Sequence, residues 1–286
     1  MKILVIGGTR FFGKPMVREL LYAGHDVTVA TRGLRTVPYN GKLDSVIIDK
    51  TDPLSVSSAF AGKYYDVIID KVAYSSNDVK SLVENAAFGR YIQMSSCSVY
   101  QTVHAAIKEE EFDASGYELK WIDRPEDYSE GKRQAECAAL KLLGPERCLF
   151  VRYPVVVGEN DYTGRLQFYV DHIINDQPMN VDNIDAQIPF IHEREAGLFI
   201  AHLASSNYSG AVNGSSHGTI SPRELIDHIE NTTHHKAIID AGGDPAPYNG
   251  IYGVQSFCTE KAGKTGFVFS NVYEWIYNLL DFYCYS

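Results

Sequence analysis

Apolar positions in this chain follow two patterns that take turns: short unbroken runs, and stripes at helical spacing. Lys2 to Ile6 ("KILVI") is a run of the kind carried by a parallel strand buried on both faces. Gly7, Gly8 and Gly13 follow at once, and a helical pattern then begins, with Pro15 in its first turn and Val17, Leu20 and Leu21 on one face. Gly24 caps that helix and leads into a second run, Asp26 to Thr31. The alternation continues with a strand at Ser45 to Asp49, a helix at Leu54 to Phe60 opened by Asp52 and Pro53, and a strand at Asp66 to Asp70. A helix from Asn77 to Ala87, a strand from Arg90 to Ser95, a long helix from Asp127 to Leu143 and a strand from Cys148 to Val157 complete the first half. Repeated β-α units of this length predict a parallel sheet with helices on both faces.

The second half is less regular. Helical spacing recurs at Leu166 to Asn175, Arg194 to Ser205 and, capped by Ser221, Pro222 to Asn231; Ala211 to Gly214 reads as a short strand. Ala241 to Gly253, rich in Gly, Pro and Asp, reads as a surface loop. Val272 to Tyr283 predicts an aromatic-rich amphipathic helix suited to a core or a subunit contact. We expect a dinucleotide-binding domain over residues 1–158. Residues 159–286 should form a smaller α/β substrate-binding subdomain, with some segments returning to the first sheet.

Composition narrows the function classes. With 26 Lys and Arg against 36 Asp and Glu, the net charge of −10 argues against a bulk basic surface for nucleic acid. No apolar run approaches the roughly 20 residues that span a bilayer, and the first strand begins at Lys2, so we expect no signal peptide and a cytoplasmic protein. The five cysteines form no C-x-x-C pair and suit reduced thiols; His234 and His235 lack further ligands at metal-site spacing, so no metal is expected.

The strongest chemistry lies in the opening turn. Strand, Gly-rich turn and helix in that order aim free backbone N–H groups at a phosphate, and glycines let the backbone approach a pyrophosphate. The turn "GGTRFFG" holds Gly7, Thr9, Arg10, Phe11, Phe12 and Gly13, with Arg10 where a dinucleotide fingerprint has its middle glycine. NAD-binding folds place an Asp or Glu at the end of the second strand; here Thr31 and Arg32 stand there instead. An arginine at that point suits the 2′-phosphate of NADP, with Arg10 and Arg35 nearby, so we expect NADP(H) over NAD(H). Asp49 is placed either to accept from an adenine amino group or to serve as an ordinary cap, and Ala73 is small enough for a cofactor to pass over it.

Tyr128 and Lys132 are four residues apart, which puts both on one face of the long helix. With 19 tyrosines, such a pair arises by chance about once, and this is the only one in the chain. The fifth strand runs straight into Ser95, Ser96, Cys97 and Ser98. Taken with "YIQMSSCSVY", "YSEGK", "VRYPVVVGEN" and "PFIHEREAGLFIAHL", the glycine turn resembles the extended short-chain dehydrogenase/reductases of the NAD-dependent epimerase/dehydratase type. The Arg in the glycine turn and "TRG" after the second strand are similar to a divergent branch that includes chloroplast stem-loop-binding proteins, linked to RNA.

That resemblance implies a Rossmann fold and a Ser-Tyr-Lys site of Ser96, Tyr128 and Lys132. Tyr128 would be the acid/base, Lys132 its cationic partner and a ribose ligand, and Ser96 the residue that holds the reacting oxygen. Tyr153 and Pro154 would line the cofactor. The resemblance further implies a nucleotide-sugar substrate, with Tyr162, Arg165, His192 and Arg194 available from the second half, and a homodimer formed by pairing helices. Arg165 is the candidate for a phosphate or carboxylate contact. The segment between Ser96 and Tyr128, with Glu109 to Glu111 and Trp121, either folds over the site or lies outside as a charged loop, and the Glu run reads as solvated. Two other readings keep the fold without turnover: a nucleotide-sensing protein and an RNA-binding one.

Overall fold

In chain order the elements are β1 (Lys2–Ile6), α1 (Gly13–Tyr22), β2 (Asp26–Thr31), β3 (Asp44–Ile47), α2 (Pro53–Phe60), β4 (Tyr64–Asp70), α3 (Ser76–Asn85), β5 (Ala87–Met94), α4 (Tyr128–Leu143) and β6 (Cys148–Arg152). There follow β7 (Val155–Val157), α5 (Arg165–Ile174), β8 (Pro178–Asn180), β9 (Phe190–His192), α6 (Glu193–Ala204), β10 (Gly210–Asn213) and α7 (Pro222–Thr233). β11 (Ile238–Ile239), β12 (Asp244–Pro245), α8 (Glu260–Lys264) and α9 (Ile276–Cys284) close the chain. The computed structural model describes residues 1–34, 39 and 43–286.

β1 lies inside a seven-stranded parallel sheet ordered β10-β6-β5-β4-β1-β2-β3. Its side chains alternate: Ile3 and Val5 enter one core and Leu4 and Ile6 the other. The first core packs Met16, Val17 and Leu20 of α1 with Phe199, Ile200 and Leu203 of α6. The second packs Val56 and Phe60 of α2, Val79 and Leu82 of α3, and Ala135, Ala138 and Ala139 of α4. Each fully buried aliphatic side chain is worth roughly 1.5–3 kcal/mol. This is the doubly wound Rossmann-type arrangement expected from the pattern, and the winding reverses between β1 and β4. A third core, with Tyr169, Phe190, Leu225, Ile276 and Leu280, holds α5, α7 and α9 against the paired β7 and β9. β8 carries β11 and β12 on its two sides. β10 returns from the second half to the edge of the main sheet.

Several boundaries differ from the sequence expectation. The third strand ends at Ile47, because Asp49 turns its carboxylate onto the Thr51 amide and hydroxyl, at 2.9 and 2.7 Å. α3 stops at Asn85 and β5 already begins at Ala87. The strand expected from Cys148 to Val157 breaks at Tyr153–Pro154. Pro154 has no N–H to donate, while the Tyr153 hydroxyl turns into the core and donates to the Ala196 carbonyl at 2.6 Å. The segment 241–253 contributes β12 and buries Ala246, so it is not simply a surface loop. The last helix starts at Ile276, after a separate 3-10 turn at Val272–Glu274 capped by Asn271.

Residues between Ser96 and Tyr128 lie on the outer side of α4. Ile107, Phe112 and Ala114 pack with Cys97, Val99, Tyr100 and Cys137. The Lys120 amide donates to Gln134 Oε1 at 2.6 Å, and Gln134 Nε2 donates to the Glu118 carbonyl at 2.9 Å. Every residue from Gly131 to Ala139 is consequently buried. The Glu run is not wholly solvated: Glu109 is buried and accepts from the Asn213 amide at 2.9 Å, while Glu110 pairs with Lys261 at 2.5 Å.

Candidate active site

The glycine turn is built tightly. Gly7 has φ 85°, and a Cβ on Gly13 would stand 2.8 Å from the Gly8 carbonyl oxygen, so neither position accepts a side chain without strain. Backbone is thereby left close to whatever lies over the turn. Thr9 is half-buried there. Arg10 turns towards the second half of the chain, its guanidinium carbon 3.1 Å from the centroid of the Tyr162 ring. Phe11, with φ 56°, meets Tyr162 edge-on at 6.0 Å, and Phe12 is buried beneath it. The next strand end supplies Lys71, directly after β4, with its ammonium 4.2 Å from the Phe12 ring centroid.

On the far side of the turn, Thr31 Oγ1 accepts from the Gly33 amide at 3.1 Å and Arg32 is exposed. Asp49 stands near Arg32; its two bonds from Thr51, and then the Arg32 charge, hold its carboxyl below the usual range. Arg35 lies outside the described residues. Ala73 is fully buried, and its carbonyl is occupied by Lys132.

Asp127 caps α4 by accepting from the Ser129 and Glu130 amides, at 3.0 and 3.2 Å, and so starts the helix at Tyr128. The Tyr128 ring is half-exposed, while Lys132, one turn on, is fully buried. Lys132 Nζ donates to the Ala73 and Met94 carbonyls at 2.9 and 3.0 Å and lies 5.6 Å from the Tyr128 ring centroid and 4.7 Å from that of Tyr74. Burial pushes the Lys132 ammonium down to about 7, against the pull of Asp70. Burial pushes the Tyr128 phenol up; the Ser96 hydroxyl, as a hydrogen-bonding neighbour, and the Arg165 charge act in the opposite direction.

Two adjacent serines have different tasks. Ser95 Oγ is buried and donates to Glu136 Oε1 at 2.5 Å. Ser96 is half-buried, caps the short turn Cys97–Val99 by accepting from the Ser98 amide at 3.1 Å, and lines the cleft beside Tyr128. Behind them Arg152 pairs with Glu136 at 2.6 Å and donates to Tyr100 and to the Glu109 and Phe112 carbonyls. This network anchors the end of β5 to α4 and β6.

A cleft of about 550 Å³ gathers Phe11, Phe12, Ser96, Tyr128, Tyr153, Pro154, Tyr162 and Arg165. His192 is not among its walls: its ring accepts from the Arg194 amide at 3.2 Å and lies 3.4 Å from Glu159, and burial lowers its pKa. Arg194 is exposed. The cleft also holds residues that sequence reasoning missed: Lys71, Tyr74, Tyr248, Gln255 and Phe257. For Lys71 and Tyr74 a signal existed, since both follow the carboxyl end of a strand, where such sheets bind ligands. Tyr248 came from the segment read as a loop. A second cavity, about 650 Å³, lies behind α4, but Glu109, Glu136 and Arg152 on its walls are already bonded.

The site's features fit a dinucleotide: a turn whose glycines have no room for a Cβ, a cleft at the reversal of the sheet, and a cation at its wall. The profile of the "NAD dependent epimerase/dehydratase family" matches residues 3–214. A curated relative, the chloroplast stem-loop binding protein of 41 kDa b of Arabidopsis thaliana, is 30% identical over 113 residues, a stretch covering 35% of this chain and 30% of that protein. Among solved structures, a UDP-glucose 4-epimerase with UDP-glucose from Thermotoga maritima superposes with a TM-score of 0.77 at 14% identity, covering 100% of this chain and 98% of that one. A UDP-glucuronic acid 4-epimerase from Bacillus cereus, in complex with UDP-glucuronic acid and NAD, gives 0.76 at 15% identity, covering 100% and 99%. A dTDP-glucose 4,6-dehydratase from Bacillus anthracis in complex with NAD gives 0.75 at 14%, covering 99% and 96%. At these identities the likeness is one of fold.

Proposed function

The chain belongs to the NAD-dependent epimerase/dehydratase family, and from that premise we propose that it is a nicotinamide-dependent enzyme whose substrate is a nucleotide sugar. The reaction is an epimerisation, dehydration or net reduction, all of which can begin with the same hydride step. The observation that carries this reading is Tyr128 at the start of α4, beside Ser96 on the wall of a cleft that reaches the glycine turn, with Lys132 buried one turn behind it, its Nζ 5.6 Å from the Tyr128 ring centroid.

Each residue has a physical task. Tyr128 Oη exchanges the proton of the substrate's reacting hydroxyl. Ser96 Oγ holds the same oxygen by a hydrogen bond as its charge develops. Lys132, fixed by two carbonyls, keeps a third N–H near the two tyrosine rings, and in its protonated form, which prevails below about pH 7, its positive charge favours the phenolate. A bound nicotinamide supplies the hydride chemistry. Gly7, Gly13 and the amides of Thr9 to Phe12 would hold its nucleotide, and Arg165 the charged part of the substrate.

The Bacillus cereus and Bacillus anthracis structures contain NAD. For this chain we propose a preference for NADP(H), because Arg32 follows β2 and no carboxylate stands at its end. Titration of the protein with NADPH and NADH tests this: tighter NADH binding would defeat it. Tyr128→Phe tests the chemistry. We expect unchanged cofactor affinity and turnover lower by about 10²–10⁴-fold; undiminished turnover would remove Tyr128 from the mechanism.

The Arabidopsis relative is named for binding a stem-loop, and that likeness favours a second reading of this chain, RNA binding. The net charge of −10 weighs against it.

A further inference from the structure

We propose that Lys71 is a phosphate-binding residue, its ammonium taking an oxygen of the diphosphate of a dinucleotide that lies across the glycine turn. The inference rests on the dinucleotide reading above and adds to it a cation that no glycine motif announces.

Position is the first argument. β4 and β1 are the neighbours between which the sheet reverses, so the residues just after them flank the crevice where ligands enter. Lys71 follows β4 and the glycine turn follows β1. The Lys71 amide donates to the Ile6 carbonyl at 3.1 Å, and a Cβ on Gly7 would lie 3.8 Å from Lys71 Cβ. Lys71 thus stands on the opposite lip from the backbone amides of the turn, and its side chain lines the cleft.

The second argument is an unmet charge. Among the described residues, three lysines are buried in this part of the fold. Lys50 donates to Asp70 at 2.7 Å and to the Val72 carbonyl at 3.0 Å, and Lys132 has two carbonyls. Lys71 is only 8% exposed, yet among the described residues its Nζ has no hydrogen-bond acceptor and no carboxylate within ion-pair distance. The Phe12 ring face is the cation's recorded neighbour, at 4.2 Å. Most of the Lys71 side chain is withdrawn from water while it lines the cleft, and a charged group so placed, with no protein partner, suits a ligand that brings the opposite charge.

The surrounding charges agree. Arg10, from the glycine turn, is a second cation, and Glu193, at the start of α6, is the opposing carboxylate. One Glu193 oxygen is taken by the Asn160 side chain and amide, at 2.7 and 3.2 Å. Burial first, then Arg10, push the Lys71 ammonium down to about 8, with Glu193 pulling it back. It therefore carries charge at neutral pH and loses it in mild alkali. A diphosphate beside it would be met by two cations and the turn's amides.

The test is calorimetric titration of the whole protein and of Lys71→Met and Lys71→Arg with NAD, NADP, ADP-ribose, adenosine and uridine diphosphate. Lys71→Met should weaken NAD, NADP and ADP-ribose by about tenfold or more, leave adenosine and uridine diphosphate unchanged, and be largely rescued by Lys71→Arg. In the wild-type protein, affinity for ADP-ribose should fall as pH rises through about 8, a readout that needs no substitution, and Lys71→Met should flatten it. Equal affinity of wild type and Lys71→Met for ADP-ribose would overturn the Lys71 assignment alone. Loss confined to uridine diphosphate would overturn it as well, since the lysine would then serve the substrate's diphosphate. A wild-type protein that binds no dinucleotide would bring down the inference and the reading beneath it together.

Discussion

Lys132 shows what burial does to one residue and how that becomes measurable. Its folded-state pKa, about 7, lies well below the value near 10.4 of an exposed lysine. Between those values the unfolded chain binds more protons than the folded one, so stability rises with pH across that window. Lys71, at about 8, acts with the same sign. Cys97, Cys137 and Cys148, whose thiols are pushed up by burial, act with the opposite sign above about pH 8.5. We therefore expect the urea-unfolding free energy to rise from pH 6.5 to 8.5, and Lys132→Met to flatten that rise; an unchanged slope in the variant would contradict the buried ammonium. The neighbouring serines offer a second contrast. Ser95→Ala leaves the buried Glu136 short of one donor and should cost about 1–3 kcal/mol with little change in turnover, whereas Ser96→Ala should lower turnover and lose only the cap of a short turn, about 0.5–2 kcal/mol. Both serines stand at the end of one apolar run, so sequence alone leaves their tasks nearly equivalent; the 2.5 Å bond to Glu136 separates them.

At the level of elements, the site depends on how closely α6 approaches α1. A Cβ on Gly197 would stand 2.7 Å from both the Met16 amide nitrogen and the Phe12 carbonyl oxygen, and neither backbone atom can move freely. Gly197→Ala should push α6 away, cost about 1–3 kcal/mol and weaken dinucleotide binding, because Phe12 leads directly into α1. Chemical denaturation and titration of the same variant check both, and intact binding with intact stability would show that the two helices do not need this contact. Elements covered on both faces were the most legible, since an unbroken apolar run is itself the record of two-sided burial. Short strands such as β8 and β9 were not, because three residues carry no period and exist only through their partners.

For the whole molecule, the layer between Ser96 and Tyr128 has a consequence for assembly. The resemblance implies helices pairing across a homodimer, but α4 is already covered by this chain's own residues, with Tyr117 bonded to Glu130 at 2.8 Å and the Ser76 hydroxyl to the Lys120 carbonyl at 2.6 Å. We expect light scattering to give the mass of a single chain at micromolar concentration; twice that mass would show that another face pairs. The charge of −10 leads to a further expectation, that an RNA matrix does not retain the protein in low salt. Retention that weakens steeply as salt is added would restore the RNA reading.

What the chain's residues determined by themselves was local: the alternation of strand and helix, the parallel sheet it demands, the glycine turn, and the spacing that sets Tyr128 beside Lys132. Those features depend on periodicity and on residues within one or two turns of each other. Tertiary structure alone decided which groups were left without partners. Lys71 has no ion-pair partner among the described residues, Glu193 acting on it only from beyond contact distance while Asn160 takes one of that carboxylate's oxygens, Tyr248 reaches the cleft because β8 holds β12, and the sixth strand stops where Tyr153 finds Ala196. Partners so distant along the chain leave no mark on local pattern, and whether a charge is paired is settled only when the segments meet.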